Sequence, residues 1–111
     1  MKLKLWIMAL GLGLSVQASA AGGFCAKYNE NAEYAKAIEI VAAKLKYSTE
    51  ELCTLGRLAD IYVDTKNIYN AQIDEVERHI WVTLHYYEYS CQYFVRAKDG
   101  VTTAQNCYNT F

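Results

Sequence analysis

The sequence predicts an all-α protein: a small up-down-up helical bundle of three main helices plus a short C-terminal helix, stapled by disulfides. Three observations carry that expectation. Apolar residues recur three or four positions apart through most of the chain, the spacing of one helix face. Proline is absent, and beyond Ala21 glycine stands only at positions 22, 23, 56 and 100, so few interior breaks are expected. Cys25, Cys53, Cys91 and Cys107 form an even set, too widely spaced for the C-x-x-C pairs of zinc or redox sites, and two disulfides follow.

The first 20 residues read as an export signal. Lys2 and Lys4 give a positive start, Leu5 to Val16 an apolar stretch, and Ala18-Ser19-Ala20 the small-x-small pattern of a cleavage point. Twelve apolar residues fall short of the roughly 20 a membrane-spanning helix needs, so no stable membrane anchor is expected. Cys25 follows Phe24 and lies well past Ala20, which argues against lipid attachment. The expected organisation is a signal peptide over 1–20 and a single helical domain over 21–111, periplasmic or secreted, where cysteines oxidise. The chain has no N-x-S/T acceptor, in keeping with a bacterial periplasm. Loss of Lys2 and Lys4 would move the formal charge from −1 to −3. That balance offers no basic footprint, so neither nucleic acid nor anionic lipid is an expected partner.

The first helix is expected from about Asn29 to Lys46, with Ala32, Ala35, Ile38, Ala42 and Leu45 on one face. Ser48 and Glu51 then have capping-box spacing and should start the second helix, whose stripe is Leu52, Leu55, Ala59 and Tyr62. A turn is placed at Asp64 to Asn67. The third helix is expected from Tyr69 to Lys98, because Ile73, Val76, Ile80, Leu84, Tyr87, Cys91 and Phe94 step by three or four, and Asp99-Gly100 ends it. A hairpin is the competing reading over this segment, since Trp81, Val82, Thr83 and Tyr86 favour strands. Thr102 and Gln105 suggest a short fourth helix. A reversal at Gly100 would bring Cys107 level with Cys91, leaving Cys25 for Cys53 if the N-terminal segment folds back.

On a helix, Leu84, Tyr87, Cys91 and Phe94 would lie within about 40° of Ile80 and with it face the core. Asp74, Glu77, Arg78, Glu88, Gln92 and Arg96 would form a solvated flank. The remaining side carries Glu75, His79, Tyr86, Tyr89 and Tyr93, the candidate partner-binding residues, because tyrosine supplies large rigid contacts at low entropic cost.

No catalytic residue, metal site or cofactor is expected. His79 and His85 cannot share a metal from one helix, and Glu75 with His79 or His85 with Glu88 offer two ligands where zinc takes three or four. Asp60 and Asp64 read as a solvated pair. Disulfide formation leaves no free thiolate, and no serine sits in a G-x-S-x-G motif. Gly11 and Gly13, the one G-x-G pair, belong to the signal. The chain therefore reads as a binding protein and not an enzyme. The expected function is an exported inhibitor or immunity protein that blocks a toxin or cell-wall hydrolase by surface occupation. Its partner would be a protein, and a homodimer is compatible with the same aromatic face. The alternatives are a carrier holding an apolar ligand between Tyr62, Trp81 and Tyr87, or a secreted effector.

Overall fold

Alternation of side chains, the signature of a strand, governs the chain from Leu58 onward. The computed structural model describes residues 21–109, so the expected export signal at 1–20 lies outside the described residues. A 3-10 turn (Gly23–Tyr28) leads into α1 (Ala32–Lys44) and α2 (Thr49–Cys53). Four strands follow: β1 (Leu58–Asn70), β2 (Glu75–Tyr86), β3 (Tyr89–Arg96) and β4 (Thr102–Asn109). Strand accounts for 46% of the described residues against 27% for helix, which overturns the all-α bundle. The sheet is an antiparallel meander in the order β1-β2-β3-β4.

The helical segments form where local chemistry asks for them. Asn31 caps α1 by accepting from the Tyr34 N–H at 3.0 Å, and Ala37, Ile38, Val41 and Ala42 give it one buried face. The expected capping box is present: Glu51 N–H donates to Ser48 Oγ (3.0 Å) and Ser48 N–H to Glu51 Oε1 (2.7 Å). The helix it starts is only five residues long, however. The chain leaves it at Thr54 and enters β1, where Ile61, Val63 and Thr65 alternate with Tyr62, Asp64 and Lys66. The turn expected at 64–67 therefore lies inside a strand.

The expected third helix, 69–98, is instead the end of β1, all of β2 and all of β3. Ile80, Val82 and Leu84 point one way along β2 and His79, Trp81 and Thr83 the other. Across the sheet, Thr65, Ile80 and Val95 lie side by side, as do Val63, Val82 and Tyr93, and Ile61, Leu84 and Cys91. α1 packs on these rows and makes the core. Each fully buried Ile, Leu or Val contributes about 1.5–3 kcal/mol over exposure. The expected fourth helix at Thr102 to Gln105 is the start of β4.

β3 pairs with β2 only from His79 to His85, so the β1–β2 hairpin continues beyond it as two strands. At its tip Asp74 takes φ 55°, which an aspartate tolerates, and the Tyr69 hydroxyl donates to its Oδ1 at 2.6 Å.

Both disulfides pair as the sequence suggested. Cys91 and Cys107 face each other across β3 and β4 with Cα atoms 4.0 Å apart, brought level by the reversal at Gly100 (φ 73°). Cys25 and Cys53, Cα atoms 5.5 Å apart, tie the 3-10 turn to α2. Gly23 is required there: φ is 58°, and a Cβ would collide with the Cys53 carbonyl. A bidentate Arg78–Glu33 pair (2.6 and 3.3 Å) and a Tyr34–Thr65 hydroxyl contact (3.0 Å) dock α1 on the sheet.

Two outcomes follow. Tyr93→Ala, at a core ring 4% exposed, should lower unfolding free energy by about 3–5 kcal/mol. Tyr87→Ala, at a ring 69% exposed, should change it by less than about 0.5 kcal/mol; urea denaturation measures both. The hydrogen bond and positive charge of Arg78 hold the Glu33 carboxyl below its ordinary 4.5. A carboxylate of lowered folded pKa stabilises the fold above its unfolded value and loses that contribution as pH falls through the folded one. Stability measured down the acid range should therefore fall below about pH 4.5, and Glu33→Gln should flatten that part of the profile.

Candidate binding face

The sheet has a second face, turned away from α1. β1 contributes Tyr62, Asp64 and Lys66; β2 His79, Trp81, Thr83 and His85; β3 Ser90, Gln92 and Phe94; β4 Ala104, Asn106 and Tyr108. Among the described residues no helix or strand is laid over it, and Tyr62 and Tyr108 are each 44% exposed.

An aromatic band crosses three strands of this face. Trp81 and Phe94, directly opposed on β2 and β3, stack at 6.0 Å with rings 4° from parallel, and Tyr62 meets Trp81 edge-on at 6.2 Å. Polar groups fix the rings. Trp81 Nε1–H donates to Gln92 Oε1 at 2.8 Å, the Lys66 ammonium sits 5.7 Å from the Trp81 ring centre, and the Tyr62 hydroxyl donates to Asp64 Oδ2 at 3.0 Å. That bond to Asp64 raises the Tyr62 pKa, so the phenol stays a donor.

Beneath and beside the band lies a polar floor. His79 is buried, its Nδ1 3.0 Å from the Glu77 carbonyl and its Nε2 2.8 Å from Thr103 Oγ1. Since the carbonyl can only accept, Nδ1 donates to it, and Nε2 lies within hydrogen-bond distance of the Thr103 hydroxyl, which also reaches the Phe94 carbonyl at 3.4 Å. His85 Nδ1 lies 2.8 Å from Ser90 Oγ. Thr83 Oγ1 is buried with no hydrogen-bond partner in the described structure. At one end Glu77 gathers Asn70, Arg96 and Lys98. Burial works against its charge, but the Asn70 bond and the two cations outweigh it and keep its pKa lowered.

The arrangement offers stacking planes and hydrogen bonds, the His85–Ser90 contact among them. His79 and His85 share this face, yet six residues of strand separate them by about 20 Å. Among the described residues no three His, Cys, Asp or Glu side chains stand close enough to hold a metal ion. Asp60 bonds to Lys27 at 3.1 Å and Asp64 to Tyr62, so neither is set against the other as an acid–base pair.

The residues singled out from the sequence do not converge. Glu75 is exposed on the overhanging hairpin, and His79 is on the open face but buried in its floor. Tyr86 and Tyr89 flank the β2–β3 turn, stacked at 4.7 Å, with Arg57 5.3 Å over Tyr86. Tyr93 is in the core under α1. The uncharged rear side of a long helix does not exist, because strand geometry sends neighbouring residues to opposite faces. The carrier alternative sets Tyr62, Trp81 and Tyr87 together; the structure joins Tyr62 to Trp81 and leaves Tyr87 exposed on the turn. Phe94, Gln92, Asp64 and Lys66 were missed as members of one surface. Their signal was the alternation in "HIWVTLH", residues 79 to 85.

Comparison with protein-family models, with curated proteins and with solved structures finds no match to this chain.

Thr83→Val removes the unpartnered hydroxyl while keeping the shape. Since a buried unsatisfied group costs about 1–3 kcal/mol, the variant should unfold at higher urea concentration than the parent chain.

Proposed function

We propose that the chain is an exported binding protein that occupies a partner protein's surface with the open face of its sheet, as an inhibitor or immunity protein against a toxin or cell-wall hydrolase does. The observation that carries this is the Tyr62–Trp81–Phe94 band on a face that no described element covers. Tryptophan and tyrosine dominate interface hot spots because a large ring buries much area for few rotatable bonds. Here the rings are already oriented by Gln92, Asp64 and Lys66, so little ordering is left for the moment of contact. The disulfides agree with an oxidising compartment, and Lys2 to Ala20 supply the export signal in this proposal.

A carrier for an apolar ligand has its own support, at a different address. A groove of about 650 Å³ between α1 and the 96–100 turn is floored by Ala37, Ile40, Ile80 and Val95, a size that suits small ligands. Native mass spectrometry separates the two: a co-purifying small molecule lost on Ile40→Trp favours the carrier.

For surface occupation the test is a binding isotherm against the protein captured on the immobilised chain. Trp81→Ala and Phe94→Ala should each weaken it about thirtyfold, the size of a hot spot near 2 kcal/mol, while Glu75→Ala on the hairpin leaves it unchanged. Undiminished affinity in the doubly substituted chain, still folded by circular dichroism, would remove the open face as the contact.

A further inference from the structure

The two edges of the sheet are built differently. On β1 the Tyr28 hydroxyl donates to the Ile61 carbonyl at 3.2 Å and accepts from the Val63 N–H at 3.0 Å, so outward backbone groups already have a partner. Lys27 and Asp60 pair across the same edge, the register is irregular between Leu58 and Asp60, and Asp64 and Lys66 add charge. These are the features that keep an edge strand from recruiting another. Among the described residues, none of these hydroxyl bonds, ion pairs or charges stands on β4. No residue from Val101 to Phe111 is charged and none is proline, and seven of the eight β4 residues are exposed.

The register says which β4 groups are open. Tyr28 marks Ile61 and Val63 as facing outward on β1, so Tyr62 bonds to Thr83. Alternation then carries through the pairs Val82–Tyr93, Gln92–Asn106 and Phe94–Ala104. Ala104 and Asn106 are thus tied back to β3, while Gln105 and Cys107 turn N–H and C=O to the outside. The 4.0 Å between Cys91 and Cys107 agrees, because opposed residues that do not exchange hydrogen bonds approach most closely.

We propose that β4 pairs antiparallel with β4 of a second copy of this chain. A two-fold axis normal to the sheet makes the contact self-complementary, and each side chain near it meets its own counterpart. A charged residue there would face its like; β4 carries none, so a second copy meets this edge without repulsion. The axis leaves both α1 helices on one side and joins the two aromatic bands into one continuous face on the other. The Cys91–Cys107 bridge holds the edge strand in place for the pairing.

The experiment is sedimentation velocity on the oxidised chain over a concentration series, with amide hydrogen exchange at each end of the range. A monomer–dimer equilibrium is expected, with the Gln105 and Cys107 amides slowing at least tenfold in the dimer. Gln105→Pro deletes an outward donor without touching a bond to β3, and Gln105→Lys sets like charges across the axis. Both should weaken dimerisation tenfold or more, and whichever retains the parent circular dichroism spectrum serves as the test. Ala59→Lys, on the β1 edge, should leave it unchanged. A chain monomeric at every concentration overturns the proposal. So does a dimer in which the Gln105 and Cys107 amides exchange freely, or one that the folded Gln105 variant forms as readily as the parent.

Discussion

Everything in this fold depends on β2 having two faces. Ile80, Val82 and Leu84 must be buried under α1, and that requirement sends His79, Trp81, Thr83 and His85 to the opposite side. A strand cannot satisfy one set without presenting the other, because a shift of register by one residue would exchange them wholesale. The candidate binding face is thus a geometric consequence of the core. It needs no separate structural device beyond residues with something to offer at the outward positions.

What those positions offer is unusual for a solvated sheet face. A side that merely met water would carry mostly charged and small polar residues. This one places three rings in a row and keeps polar groups beneath them, several fully buried. Thr83, Ser90 and His79 are already buried on this face, so part of the desolvation a contact would demand has already happened. Most of the sheltered groups are satisfied within the sheet, which gives the face a firm shape. Edge protection follows a similar division of labour: Tyr28 closes one margin of the sheet, and a bridge of sulfur holds the other without closing it.

Part of the fold was legible from local chemistry. The Ser48–Glu51 box, the span of α1 and the alignment of Cys91 with Cys107 each depend on a few neighbouring residues, and each is present. The sheet was misread for a specific reason. Ile80 and Leu84 share a face in a strand as well as in a helix, and the step of three from Leu84 to Tyr87 looked helical. In the structure that odd step coincides with the turn at Tyr87-Glu88, which resets strand parity so that Cys91, Tyr93 and Val95 return to the core side. Period and turn conspired to imitate a helix. The high strand propensity of Trp81, Val82, Thr83 and Tyr86 was the truer signal, and with it the aromatic band would have emerged, since Trp81 faces Phe94 only if both lie in strands.

The meander also bears on how such a chain matures. Cys25 and Cys53 are consecutive cysteines along the sequence, 28 residues apart, and Cys91 and Cys107 are the next two, 16 apart. An oxidase that joins cysteines in their order of emergence therefore reaches the native pairs directly, and no thiol exchange is needed to correct them. In that order the first pair needs no strand to be in place, since both its cysteines precede β1, whereas the second joins residues of β3 and β4. The bridges thus follow the order of the elements they join, from the amino end to the carboxyl end.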